Sequence, residues 1–124
     1  MIQLDCICAL ATPPGMSGLA VIRISGQDAI SISSQCFKGK ISLLQAESHR
    51  IYFGKFISDG ILIDEVTASI FLSPHSYTGE NIVEFGCHGS MIAVDLILTE
   101  LCKKGARPAA PGEFTKRAFM NGKT

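Results

Sequence analysis

Two charged side chains stand where the sequence is otherwise apolar: Arg23 in the run Val21-Ile22-Arg23-Ile24, and Glu84 between Val83 and Phe85. A guanidinium in such a strand either faces water or finds an anionic partner, because leaving it buried and unpaired is strongly unfavourable. Glu84 poses the mirror-image problem, an outward position in an alternating strand or the wall of a pocket. In a pocket, a carboxylate accepts paired N–H groups from a heterocycle, and an arginine forks onto a carboxylate. His88-Gly89, just ahead of a helix, offers either backbone donors for an anion or an ordinary helix cap. Spacing alone therefore supports ligand binding and names no ligand.

Other patterns fail on inspection. Gly15-Met16-Ser17-Gly18-Leu19 lacks the second glycine of a nucleophile elbow and precedes a strand where the elbow follows one. The same loop lacks the Gly-Lys-Ser/Thr ending of a phosphate-binding loop, and Gly39-Lys40-Ile41 lacks the hydroxyl needed on magnesium. No catalytic residue is assigned. The five cysteines, Cys6, Cys8, Cys36, Cys87 and Cys102, form an odd set without C-x-x-C. Cys6 and Cys8 on one strand face, with Cys87-His88, allow a metal site to be drawn, but free cysteines as small buried hydrophobes fit all five positions, and no metal ligand is assigned. Reduced thiols and the lack of a signal peptide predict a cytoplasmic protein. The densest apolar run, Met91 to Leu98, is broken by Asp95 and too short for a membrane span.

The chain has 124 residues, 47% of them apolar, and a formal net charge of zero, the profile of one folded domain and not of a polyanion-binding protein. Charge is uneven, however. Residues 1–98 hold nine acids and five bases, and residues 99–124 hold two acids and six bases. That basic stretch is either a solvated helix end or a contact for an anion.

The elements that must position Arg23 and Glu84 follow from periodicity. Strands are expected at Asp5–Ala11, Leu19–Ile24 and Glu80–Gly86, with a hairpin formed by His49–Ile57 and Ile61–Leu72 about the turn Ser58-Asp59-Gly60. Helix spacing marks Gln27–Phe37. A second helix runs from a Ser90 cap to Lys103 and is so apolar that it must be largely buried, with Gly105 available to end it. Thr12–Gly18 and Ser73–Gly79 are loops, and residues 38–50 carry little signal. Gly112-Glu113-Phe114-Thr115-Lys116-Arg117-Ala118-Phe119 begins like a helix, and the dense polar motif ending at Thr124 reads as one piece of a longer protein. This order predicts an α+β fold, a mixed β-sheet with helices packed on one face.

Three motif groups resemble a known family. They are Ala11-Thr12-Pro13-Pro14-Gly15 with Val21-Ile22-Arg23-Ile24-Ser25-Gly26; Ser76-Tyr77-Thr78-Gly79-Glu80 with Val83-Glu84 and Cys87-His88-Gly89; and Pro111-Gly112-Glu113-Phe114-Thr115 with Arg117-Ala118-Phe119 and Asn121-Gly122-Lys123. In this order they resemble the N-terminal domain of the MnmE (TrmE) tRNA modification GTPases. Met16-Ser17 departs from the Arg-Gly that family members often carry there.

The resemblance implies a tetrahydrofolate-binding and homodimerisation domain at residues 1–118, similar in fold to the folate-binding domain of the glycine cleavage T-protein. Residues 119–124 would begin the connection to a helical domain. It further implies a cofactor, formyl- or methylene-tetrahydrofolate, contacted by Arg23, Glu84 and Lys123. In the full protein, a GTPase domain with GTP, Mg and K lies outside this chain. The whole would work with the flavoprotein MnmG to add an aminomethyl-type group to carbon 5 of the wobble uridine of tRNA, and this chain alone would be non-catalytic. The alternative is a purely structural dimerisation module with an incomplete folate pocket. Direct tRNA binding is disfavoured by the zero net charge, apart from the basic tail.

Overall fold

The computed structural model describes residues 5–13 and 18–123. Its centre is a seven-stranded sheet built from β1 (Ile7–Leu10), β2 (Leu19–Ser25), β3 (Phe37–Gly39), β4 (Arg50–Ser58), β5 (Ile61–Phe71), β6 (Ile82–His88) and β7 (Arg107–Pro108). The strand order is β3-β4-β5-β6-β2-β1-β7, and all described pairs are antiparallel except β1 with β7. The sheet is therefore mixed, as expected. The helices are α1 (Ala29–Ser34), α2 (Met91–Lys103) and α3 (Glu113–Met120).

Alternation decides which face each strand buries. Ala20, Ile22 and Ile24 of β2 lie opposite Cys87, Phe85 and Val83 of β6, and Val66, Ala68 and Ile70 of β5 continue the same buried face. Phe85 meets Phe56 edge-on with ring centroids 5.3 Å apart, and Phe37 closes the cluster from β3. α1 contributes Ala29 and Ile32 to this core, and α2 contributes Val94, Ile97 and Leu101 along one stripe. Each such valine, leucine or isoleucine stabilises the fold by about 1.5–3 kcal/mol on full burial.

The two expected helices thus share one face. α3 takes the other, since Phe114 covers Arg23, which points away from the core residues Ile22 and Ile24. Ile7, Ile82 and Ala118 are buried outside the main core, consistent with a second, smaller layer there.

Three expectations need correction. The first helix is shorter than Gln27–Phe37, because the chain turns at Gln35–Cys36 and Phe37–Gly39 pairs with Phe56–Gly54 of β4 as a strand. Asp28 precedes that helix without a side-chain capping bond. α2 is not largely buried: Ile92 is 74% exposed, with Met91 and Leu96 also open, because a single sheet covers only one side of it. The first strand is confined to Ile7–Leu10, where β2 and β7 supply partners. The cap of α2 is as expected, Ser90 Oγ accepting from Ala93 N at 3.4 Å, and Gly105 at φ 123° follows its end. α3 continues across the 118/119 boundary to Met120.

Candidate functional site

Arg23 and Glu84 are direct cross-strand partners in the β2–β6 register. Each resolves the other's problem. Arg23 Nε donates to Glu84 Oε2 at 2.9 Å, and the two side chains are 23% and 26% exposed. Lying on the face away from the main core, both remain reachable.

Two aromatic rings cover the pair. The Arg23 guanidinium carbon lies 5.2 Å from the Tyr77 ring centroid and 5.3 Å from that of Phe114, within the range where a cation is attracted to a ring face. Tyr77 comes from the loop between β5 and β6, and Phe114 from the first turn of α3. The Tyr77 hydroxyl meets Thr115 Oγ1 at 2.5 Å, tying loop to helix above Arg23.

Short polar side chains shape that loop. Ser73 N donates to Asn81 Oδ1 at 2.8 Å, Ser76 Oγ to the Glu80 carbonyl at 2.5 Å, and Glu80 N to Thr78 Oγ1 at 3.1 Å. Thr78 is itself buried against Ser25, with their hydroxyls 2.7 Å apart. Asn121 Nδ2 donates to the Thr78 carbonyl at 2.8 Å, so the tail after α3 is held on the same loop.

An ionic network fixes α3. Arg117, 3% exposed, donates to the Asp5 carbonyl and to Asp5 Oδ1, both at 2.7 Å, and reaches Glu80 Oε2 at 3.2 Å. Arg107 pairs with Asp5 and forks onto Glu113 at 2.6 and 2.9 Å. Glu113 also accepts from Ala110 N at 2.8 Å, tying the first turn of the helix to the segment before it. The Arg107 hydrogen bonds hold the Glu113 carboxyl at a pKa of about 2, and those of Arg107 also lower that of Asp5. Most polar residues of the C-terminal motif thus position Phe114 and the tail.

Lys123 ends that tail. Its backbone N donates to the Ala118 carbonyl at 2.8 Å, and its side chain packs beside Gly79, where an added Cβ would sit 3.3 Å from Lys123 Cγ. Gly79 has φ 83° and would also bring that Cβ within 3.0 Å of Asn121 Cβ. Lys123 therefore lies against the Tyr77 loop, while Arg23 and Glu84 form the pair itself.

Chemically, the pair presents acceptor beside donor. Glu84 Oε2 is engaged by Arg23 Nε at 2.9 Å, so a carboxylate and a guanidinium share one edge of the pair. That edge complements a heterocycle bearing N–H next to C=O.

The family model described as "GTP-binding protein TrmE N-terminus" matches residues 6–123. This chain belongs to the TrmE N-terminal family. Relatives named tRNA modification GTPase MnmE include those of Lacticaseibacillus paracasei (47% identical over 121 residues), Listeria innocua (45% over 121) and Chlamydia pneumoniae (47% over 123). These alignments cover 96%, 98% and 99% of this chain but only 26–27% of each relative. The chain thus spans about a quarter of the length of these TrmE-family GTPases.

Other readings resolve as follows. His88 does not stand free as an anion donor, since its N and Nδ1 meet the Asp64 carboxylate at 2.8 and 2.7 Å. Cys6, Cys8 and Cys87 are buried, and burial pushes their thiols up to about 11, 12 and 11. The Pro14–Ser17 part of the first loop, including Met16-Ser17, lies outside the described residues. Among the described residues, no helix is long and apolar enough to cross a membrane. A cleft of about 530 Å³ lies on the β3–β4 edge, lined by Phe37, Lys40, Ile41, Ile51, Tyr52 and Phe53. Three strand spacings, roughly 14 Å, separate β4 from β2 and Arg23.

Sequence reasoning missed Tyr77, Phe114 and Thr115 as neighbours of Arg23. All three sit in the motifs that carried the resemblance, so their composition was visible while their convergence was not.

Proposed function

We propose that this chain is the tetrahydrofolate-binding and homodimerising domain of a tRNA modification GTPase. The observation that carries the reading is the Arg23–Glu84 pair, about one quarter exposed, with two rings over Arg23 and acceptor beside donor. In this reading Glu84 accepts from the ring N–H and amino groups of the pterin, and Arg23 donates to its neighbouring carbonyl. Lys123 supplies a cation beside the same loop for an anionic part of the cofactor.

The carrier, as formyl- or methylene-tetrahydrofolate, supplies one carbon when bound. The residues of this chain orient it and hold its polar edge. Transfer to carbon 5 of the wobble uridine, as an aminomethyl-type group, belongs to the whole protein acting with the flavoprotein MnmG in the cytoplasm. GTP, Mg and K bind in the GTPase domain outside this chain, which by itself is non-catalytic.

A second reading, a purely structural dimerisation module, draws on the exposed apolar side chains. Phe53 and Ile51 of β4 are 67% and 71% exposed. Calorimetric titration of the chain with formyl-tetrahydrofolate, with mass in solution measured alongside, separates the two. Saturable binding by a dimer, weakened at least tenfold in Arg23→Ala or Glu84→Ala, supports the folate reading; a folded dimer that binds nothing supports the scaffold.

A further inference from the structure

One sulfur contact crosses from the sheet to a helix. Cys8 of β1 and Cys102 in the last turn of α2 lie 94 residues apart in sequence, and their sulfurs are 3.8 Å apart. No other two cysteines make such a contact among the described residues. The two thiols differ in reach. Cys8 is 1% exposed, and burial, with the neighbouring Cys102 and Cys6 thiols adding to it, pushes its thiol up to about 12. Cys102 is half-buried, so solvent reaches it. Cys8 also sits at a junction of the sheet, opposite Ile24 of β2 on one side and Pro108 of β7 on the other.

We propose that Cys8 and Cys102 are an oxidation site, at which a small-molecule disulfide such as oxidised glutathione converts the two thiols into one disulfide joining β1 to α2. The inference is independent of the folate reading. Cys102 reacts first, because of the two only it meets solvent. Its thiolate attacks one sulfur of the small disulfide, the S–S bond breaks, and one glutathione leaves as a thiolate that takes up a proton. Cys8 then gives up its proton to solvent and attacks the Cys102 sulfur, and the second glutathione leaves in the same way. The protein dithiol is oxidised by two electrons, and the small disulfide is reduced to two thiols. Burial keeps Cys8 protonated for most of the time, but its target is already at contact distance, and a thiolate of high pKa is the stronger nucleophile. Bonding requires the sulfurs to close from 3.8 Å to about 2.0 Å. Cys102 lies in the last helical turn, with Gly105 at φ 123° just beyond, where the backbone yields most readily.

The test equilibrates the folded chain with graded ratios of oxidised to reduced glutathione, quenches with acid, and reads the intact mass and the linked peptides by tandem mass spectrometry. As the ratio rises, wild type should lose the mass of two hydrogen atoms and carry a single link, Cys8 to Cys102. Cys6, Cys36 and Cys87 should stay free and take up alkylating agent only after unfolding. Cys8→Ala should stop at the first step and hold one glutathione on Cys102, and Cys102→Ser should gain neither adduct nor link. Thermal melting of each variant before oxidation confirms that it is folded, and the wild-type result stands without them. A wild-type chain that stays reduced across the range, or ends as a glutathione adduct without a link, overturns the proposal. So does a link between any other two cysteines, a link between two chains, or a Cys8–Cys102 link that forms only in urea.

Discussion

Replacing Arg117 with methionine tests whether the polar C-terminal motif is there to hold α3 rather than to meet a ligand. The side chain is 4% exposed and engages three carboxylates, which respond differently to its loss. Asp5 is partly exposed and keeps Arg107, and Glu113 keeps both bonds to Arg107. Glu80, only 12% exposed, keeps just the Ser25 hydroxyl at 2.8 Å among its described side-chain partners. Breaking a buried pair and stranding one carboxylate costs about 3 kcal/mol, the lower end of such losses because two of the three acids keep a cation. With an unfolding entropy of about 2.1 cal/mol/K per residue, that corresponds to a melting temperature roughly 11 °C lower for 124 residues. Urea and thermal unfolding measure it. Adding Glu80→Gln to Arg117→Met should recover about 1 kcal/mol, since the stranded charge is then gone. A loss below about 1 kcal/mol, or a Glu80→Gln change that adds to the loss in place of offsetting it, would refute the reasoning.

Acid should release α3 first. Glu113 has its carboxyl lowered from 4.5 to about 2 by Arg107, so its contribution is complete above pH 4.5 and disappears as pH falls toward 2; Asp5 and Glu100 shift in the same direction. Glu113→Gln should flatten the pH dependence of stability in that window, and an unchanged slope would contradict the assignment. Gly79→Ala places a Cβ at φ 83° and 3.0 Å from Asn121, which should cost about 1–2 kcal/mol and weaken folate binding as Lys123 is displaced. Full stability in that variant would show that the tail does not pack on the loop as described. Of the five cysteines, four are buried and have thiols raised to about 11 or 12, whereas Cys102 is half-buried. Alkylation of the native protein at pH 8 should therefore label Cys102 first, and rapid labelling of several cysteines would contradict the burial.

The long elements were legible because their own periodicity specifies them. Ile22 and Ile24 alternate with Arg23, and Val94, Ile97 and Leu101 form a helical stripe, so β2 and α2 fell close to their expected bounds. Strands β3 and β7, three and two residues long, carry no pattern of their own and exist because β4 and β1 offer free edges. The first helix was overextended for the same reason, since Phe37 is as suitable for a helix as for an edge strand until β4 is placed. Arg23 and Glu84 were each visible as charges out of context. Their pairing was not, because it depends on the β2–β6 register across 61 residues. The network joining Asp5, Glu80, Arg107, Glu113 and Arg117 is likewise a product of topology, since only its Arg117–Glu113 contact lies within one helix.

The central claim, that the β2–β6 pair holds the cofactor, is tested most directly by a crystal structure of the chain with formyl-tetrahydrofolate bound. The account predicts the pterin edge within hydrogen-bond distance of the Glu84 carboxylate and the Arg23 guanidinium. A pterin seated instead in the cleft of Phe37, Ile41 and Phe53 on the β3–β4 edge, with Arg23 and Glu84 unchanged, would contradict it.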